Sequence, residues 1–125
     1  AGACTGAVLA NLMFGLSAVS ISTRERTAPG LWLSEVVATF GLVLVILGLV
    51  RGGRSQWVAP AVAAYLIGAY WFTASTSFAN PAVTLARATT NTFSGIYPAH
   101  APMFIVAQIV GLVTAVMFYK SQYKQ

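Results

Sequence analysis

From Leu31 to Val50 the chain runs for roughly 20 residues, about the length of helix that crosses a hydrocarbon core, with Glu35 as the single charge. A stretch of this kind has few ways to fold, because in lipid every backbone N–H and C=O has to be paired inside its own segment. Three more apolar segments accompany it. They run from about Ala1 to Ile21, with small residues at Gly2, Gly6 and Ala10, then from Trp57 to Ala74, and from Pro102 to Tyr119. Composition agrees: 58% of residues are hydrophobic, 7% are charged, and mean hydropathy is +0.76. A soluble domain ordinarily carries about a quarter charged residues. The net charge of +5 does not imply nucleic-acid binding, since the bases sit singly or in pairs between apolar stretches.

Charge placement gives a topology. Arg51-Gly52-Gly53-Arg54 joins the second and third segments and belongs in the cytoplasm by the positive-inside rule. Lys120 and Lys124 in the polar tail belong on the same side, and both conditions hold if the fourth segment crosses once. The loop Thr23–Pro29 then lies outside, where Glu25 partly offsets Arg24 and Arg26. Trp32, Trp57, Tyr97 and Tyr119 fall near segment ends, at headgroup level. Cys4 is a lone cysteine in an apolar stretch and reads as a small packing residue. The chain opens without Met or a basic leader, which suggests a fragment whose upstream part is missing.

Residues 75–101 must begin and end outside, yet they contain Phe78, Ala79, Val83, Leu85 and Ala86. Asn80 is a good N-cap and Pro81 suits the first helical position, so a helix is expected from Pro81 to about Thr92, with Gly95 and Pro98 as stop signals. Such a helix is roughly 18 Å long, about half a bilayer. A half-length apolar helix between two same-side loops is re-entrant. Its unpaired N–H groups and the Asn80 amide would then face the membrane interior, presenting donors and a positive end.

The run Ser77-Phe78-Ala79-Asn80-Pro81-Ala82-Val83-Thr84-Leu85-Ala86-Arg87, with Ser34-Glu35 opening the preceding helix, strongly resembles the signature of the major intrinsic protein (aquaporin) family. The resemblance covers essentially the whole chain. It implies an all-α membrane protein: an aquaporin-like half-channel with four transmembrane helices near Ala1–Ile21, Gly30–Val50, Ser55–Ala74 and Ala101–Tyr119, plus the half-helix. The text Asn-Pro-Ala-Val-Thr-Leu-Ala is more typical of the family's first repeat. Three features favour the second repeat: a helix precedes the one bearing Glu35, only a polar tail follows the last helix, and the Arg51/Arg54 loop is best placed inside. The resemblance also implies a homotetramer in a lipid bilayer, a bacterial inner membrane being the expected location.

Counting from Asn80, the family's selectivity ring falls at Gly68, Ser77 and Val83. Most members carry arginine at the last position. Valine there leaves an apolar wall, and Gly68 is similar to the glycine of glycerol-conducting members. With Phe78-Ala79 before the motif, the pattern resembles bacterial aquaglyceroporins associated with arsenic resistance. The implied activity is passive passage of small uncharged solutes (glycerol, urea, undissociated arsenous acid, water). Arg87, one turn beyond Val83, either restores a positive charge at the mouth, or snorkels outward or pairs with loop groups. Glu35, the only acid inside an apolar span, is implied to brace the loop before Asn80 by accepting its N–H groups. Asn11, Thr39, Gln108 and Thr114 read as helix-packing polar groups, and His100 as an exposed loop residue. No metal-ligand cluster, nucleophile set, carboxylate pair or phosphate loop is present, so the expectation is a non-enzyme without cofactor. The alternatives are a strict water channel and a non-conducting scaffold or truncated fragment.

Overall fold

A computed structural model describes residues 1–123, and Lys124 of the expected cytoplasmic tail lies outside them. Among the described residues every regular element is helical and there are no strands. Helix α1 spans Gly2–Met13, α2 Pro29–Arg51, α3 Val58–Phe72, α4 Pro81–Arg87 and α5 Ala101–Gln122. Short 3-10 turns at Ser55–Trp57 and Pro98–His100 lead into α3 and α5.

Helices α2 and α5 form the main packed pair. Their close approach depends on Gly111: a Cβ there would lie 2.5 Å from the Val36 carbonyl oxygen and 3.0 Å from the Thr39 Cβ. Helix α3 leans on α2 through Tyr65, whose hydroxyl donates to the Ala38 carbonyl (2.9 Å) and sits against Gly41. The outward faces stay apolar, with Leu33, Val37, Ile67, Val106 and Val113 exposed, as helices bathed in lipid require. By length and composition two helices can cross a membrane, Pro29–Arg51 and Pro98–Gln122.

The other two expected spans are shorter than the sequence pattern indicates. Helix α1 stops at Met13 instead of continuing to Ile21. Gly15 is the cause: it adopts φ +69°, its N–H donates to the Leu12 carbonyl, and the Leu16 N–H donates to the Asn11 carbonyl. This doubly bonded left-handed cap terminates a helix, and glycine occupies its positive-φ position without side-chain strain. The same device closes α2, where Gly53 (φ +66°) donates to Val50 and Arg54 to Leu49. Helix α3 covers 15 residues against the expected Ser55–Ala74.

The half-helix is also short. Helix α4 has 7 residues, about 10 Å, and ends at Arg87 rather than near Thr92. The run Thr89-Thr90-Asn91-Thr92 follows it. Its hydroxyls bond elsewhere, Thr89 Oγ1 to the Ala86 carbonyl and Thr90 Oγ1 to Asn11 Oδ1. Such side chains compete with backbone pairing and favour helix ends. The segment between α1 and α2 lies against this end: the Ser20 and Ser22 N–H groups donate to the Thr89 and Ala88 carbonyls, both at 2.9 Å. Beneath these loops Phe78, Ile96 and Phe104 form a small aromatic and aliphatic core, with Leu31 and Trp32 packed against it.

Candidate functional site

The site is built around the loop that enters α4. Asn80 is extended (φ −159°, ψ 122°), and its Oδ1 accepts the Ala82 N–H at 2.8 Å, an N-cap bond. With the oxygen committed to the helix, the amide Nδ2 is the group left to face outward. The Asn80 carbonyl accepts from Thr84 twice, from its N–H (3.0 Å) and its hydroxyl (2.9 Å). Pro81 and Ala82 form the first turn and are exposed, as is Asn80.

Ahead of Asn80 the backbone is forced into an unusual course. Thr76, Ser77 and Ala79 all have positive φ (63°, 48° and 49°). Each costs a non-glycine residue on the order of 1 kcal/mol, so something has to hold them. That something is Glu35, fully buried on α2. One carboxylate oxygen accepts from the Ser75 hydroxyl (2.6 Å) and the Phe78 N–H (2.9 Å). The other accepts from the Ala79 N–H (2.9 Å) and Gln108 Nε2 (2.8 Å). Gln108 reaches on to the Thr84 hydroxyl (2.9 Å), so α2, the loop, α4 and α5 share one polar network. The neighbouring Ser34 hydroxyl accepts the Ala74 N–H (3.2 Å).

Two cavities flank the half-helix. The smaller, about 290 Å³, is lined by Thr39, Ala79, Asn80, Pro81 and Gln108 among others. Two buried oxygens without hydrogen-bond partners, Thr39 Oγ1 and Gln108 Oε1, belong to residues of its wall. The larger, about 660 Å³, lies between α1 and α4, and both Val83 and Arg87 line it. Arg87 donates to the Thr76 hydroxyl (3.3 Å) and stacks over Phe78 at 4.3 Å from the ring centroid. Gly68 lies exposed on α3 and Ser77 is buried with its hydroxyl unpartnered; neither lines these two cavities. The chain thus brings Val83 and Arg87 to one wall and leaves Gly68 and Ser77 apart from it.

Several residues matter more here than their sequence setting suggests. Gln108 and Ser75 complete the Glu35 network, and Thr84 ties α4 to it. A glutamine within an apolar helix is the signal that was available for Gln108. Arg26 differs from the sequence expectation of an outer-loop charge: it is 4% exposed and inserted beneath the loops. His100 is half-buried rather than exposed, and its Nδ1 accepts the Arg26 N–H (3.1 Å). Asn11 is buried, donating to the Ala18 and Thr89 carbonyls, whereas Thr114 bonds only carbonyls of its own helix.

Compared with curated proteins, the chain is 55% identical over 115 residues to Aquaglyceroporin AqpS of Rhizobium meliloti (strain 1021). The match takes in 92% of this chain and 49% of that protein, so the chain spans about half the length of the curated relative it matches. No protein-family model matches the chain, and no solved structure does.

Proposed function

The chain belongs to the major intrinsic protein family, and we propose that it is one repeat of a channel that lets small uncharged solutes cross a membrane passively. The observation that carries this reading is the Asn80 cap: an amide donor at the tip of a short helix, facing a cavity, at the end of a loop held in positive φ by a buried carboxylate. A neutral solute can exchange its water hydrogen bonds for the fixed Asn80 donor. A cation meets the same donor and the positive end of the helix unfavourably. Loop carbonyls oriented by Glu35 would provide the acceptors leading to it.

The chain serves as the second of two repeats, the other supplying a mirror-image motif. Gly68, Ser77 and Val83 form part of the narrowest ring in the assembled channel. Val83 makes this ring wide and apolar, which favours glycerol, urea and undissociated arsenous acid beside water. The aquaglyceroporin name of the relative supports the same class. The protein works as a homotetramer in a bacterial inner membrane, with the Arg51/Arg54 turn and the C-terminus cytoplasmic. A strict water channel is the second reading. It is favoured by one observation, that Arg87 reaches the cavity wall shared with Val83 and could narrow it.

Proteoliposomes containing the complete two-repeat protein decide between the two. Glycerol and arsenite uptake well above empty vesicles is expected. Fast water flux with no uptake of either solute would overturn the wide-pore reading in favour of the strict water channel.

A further inference from the structure

We infer that Arg26, from the loop between α1 and α2, is a specificity-determining residue: it clamps the two limbs of the re-entrant segment and supplies the net positive charge that excludes cations where Val83 is apolar. This rests on the channel reading above. The guanidinium spends each of its nitrogens on a backbone carbonyl. Nε donates to Gly95 (2.8 Å), Nη1 to Ser75 (3.1 Å) and Nη2 to Phe93 (3.0 Å). Ser75 precedes the motif, and Phe93 and Gly95 follow the half-helix, so one side chain ties the incoming limb to the outgoing limb. The planar fork of arginine can satisfy three such acceptors together, whereas lysine presents a single ammonium on a flexible stem.

Charge arithmetic gives the clamp its second role. Phe78, two residues before Asn80, has Arg26 Cζ at 5.0 Å from its ring centroid and Arg87 Cζ at 4.3 Å. Its N–H is bonded to Glu35. Two positive groups and one negative group around one ring sum to +1. Without Arg26 the sum is zero. Burial, and then the neighbouring Arg24 and Arg87 charges, lower the Arg26 pKa from its ordinary value to about 10. That is still far above neutral pH, so the group is charged. Arg26 lines neither cavity, so it acts through space; for illustration, a unit charge at about 10 Å shifts cation occupancy by about tenfold at an effective dielectric near 20. No loop carbonyl can substitute for it, because carbonyls attract cations.

The test uses the complete two-repeat protein in liposomes and reads a ratio, potassium leak over glycerol uptake, which does not depend on how much protein inserts correctly. For R26Q the ratio is expected to rise about tenfold. For R26K, which keeps the charge and loses carbonyl contacts, it is expected to stay within about twofold of wild type. An unchanged ratio in R26Q, with both fluxes falling together, makes Arg26 a structural clamp only and overturns the charge role. A rise in R26K matching that in R26Q overturns it too. If R26Q does not insert, R26M, which removes the charge and keeps an unbranched side chain, takes its place: a rise of about tenfold supports the inference and a wild-type ratio defeats it. Wild-type vesicles that take up glycerol no faster than empty ones would remove the channel reading, and this inference with it.

Discussion

Replacing Glu35 by glutamine changes one oxygen to an NH2 group and barely alters shape, so its effect isolates the acceptor role. The carboxylate takes two donors on each oxygen. A glutamine can keep only one side. If the amide nitrogen faces Ser75, the hydroxyl can turn to accept, but the buried Phe78 N–H is orphaned. If it faces Gln108, that amide can flip and present its unpartnered Oε1, but this breaks its bond to Thr84 and orphans the Ala79 N–H. Either way one buried backbone donor goes unsatisfied, at about 1–3 kcal/mol, and the surviving bonds lose their charge assistance. The opposing term is relief of burying a carboxylate. That relief is modest here because four donors already solvate the charge, and the net loss comes to about 3 kcal/mol. It is comparable to the strain of about 1 kcal/mol at each of three positive-φ residues that the carboxylate holds in place. The loop before Asn80 should therefore relax. In the complete two-repeat protein, Glu35→Gln is expected to lower the detergent unfolding midpoint by about 8 °C, taking roughly 2–4 °C per kcal/mol for a chain of that size, and to cut glycerol uptake at least about tenfold. A midpoint within about 2 °C of wild type, with uptake unchanged, would refute the reasoning.

Other substitutions probe other parts. Val83→Arg should place a bulky cation in the wall and reduce glycerol uptake about tenfold or more while sparing water flux, as measured by stopped-flow light scattering. Arg87→Ala tests the compensating charge: potassium leak should rise relative to glycerol uptake, and unchanged flux and selectivity would leave Arg87 a purely structural group. Gly111→Leu should wedge α2 from α5 and destabilise by several kcal/mol, with Gly111→Ala milder at about 1–3 kcal/mol, both read as lowered unfolding midpoints. Vesicles holding this chain without its partner repeat should conduct glycerol no better than empty vesicles, since one of two half-helices is absent.

Much of this architecture is legible from residues alone, for identifiable reasons. Helix α2 is a long apolar run with Glu35 as its one internal charge, bounded by Pro29 and a glycine pair, and its ends fall within a residue or two of the expected ones. The start of α4 follows from Asn80-Pro81, whose capping chemistry is local. The ends of α1 and α4 were harder to read, because a single Gly15 inside an apolar run and a threonine run after Arg87 act through backbone bonds that hydropathy does not register. Arg26 was illegible for another reason. Beside Glu25 and Arg24 it resembles a solvated loop charge, and only the folded chain brings the carbonyls of Ser75, Phe93 and Gly95 to it.

The hydrogen bonds that seat the re-entrant stretch reach far along the chain: Arg26 to Gly95 spans 69 positions, and Thr90 to Asn11 spans 79. All of Asn11, Ser22, Arg26 and Glu35 leave the ribosome before Asn80 does, so its receptor surface is made first and the motif can dock as it emerges. Thr90, Phe93, Gly95 and Ile96 follow Asn80 directly and close on this surface, and Phe104 and Gln108 arrive last. Helix α5 is then the latch, and a ribosome stalled before Gln108 should leave the motif unsecured and open to protease.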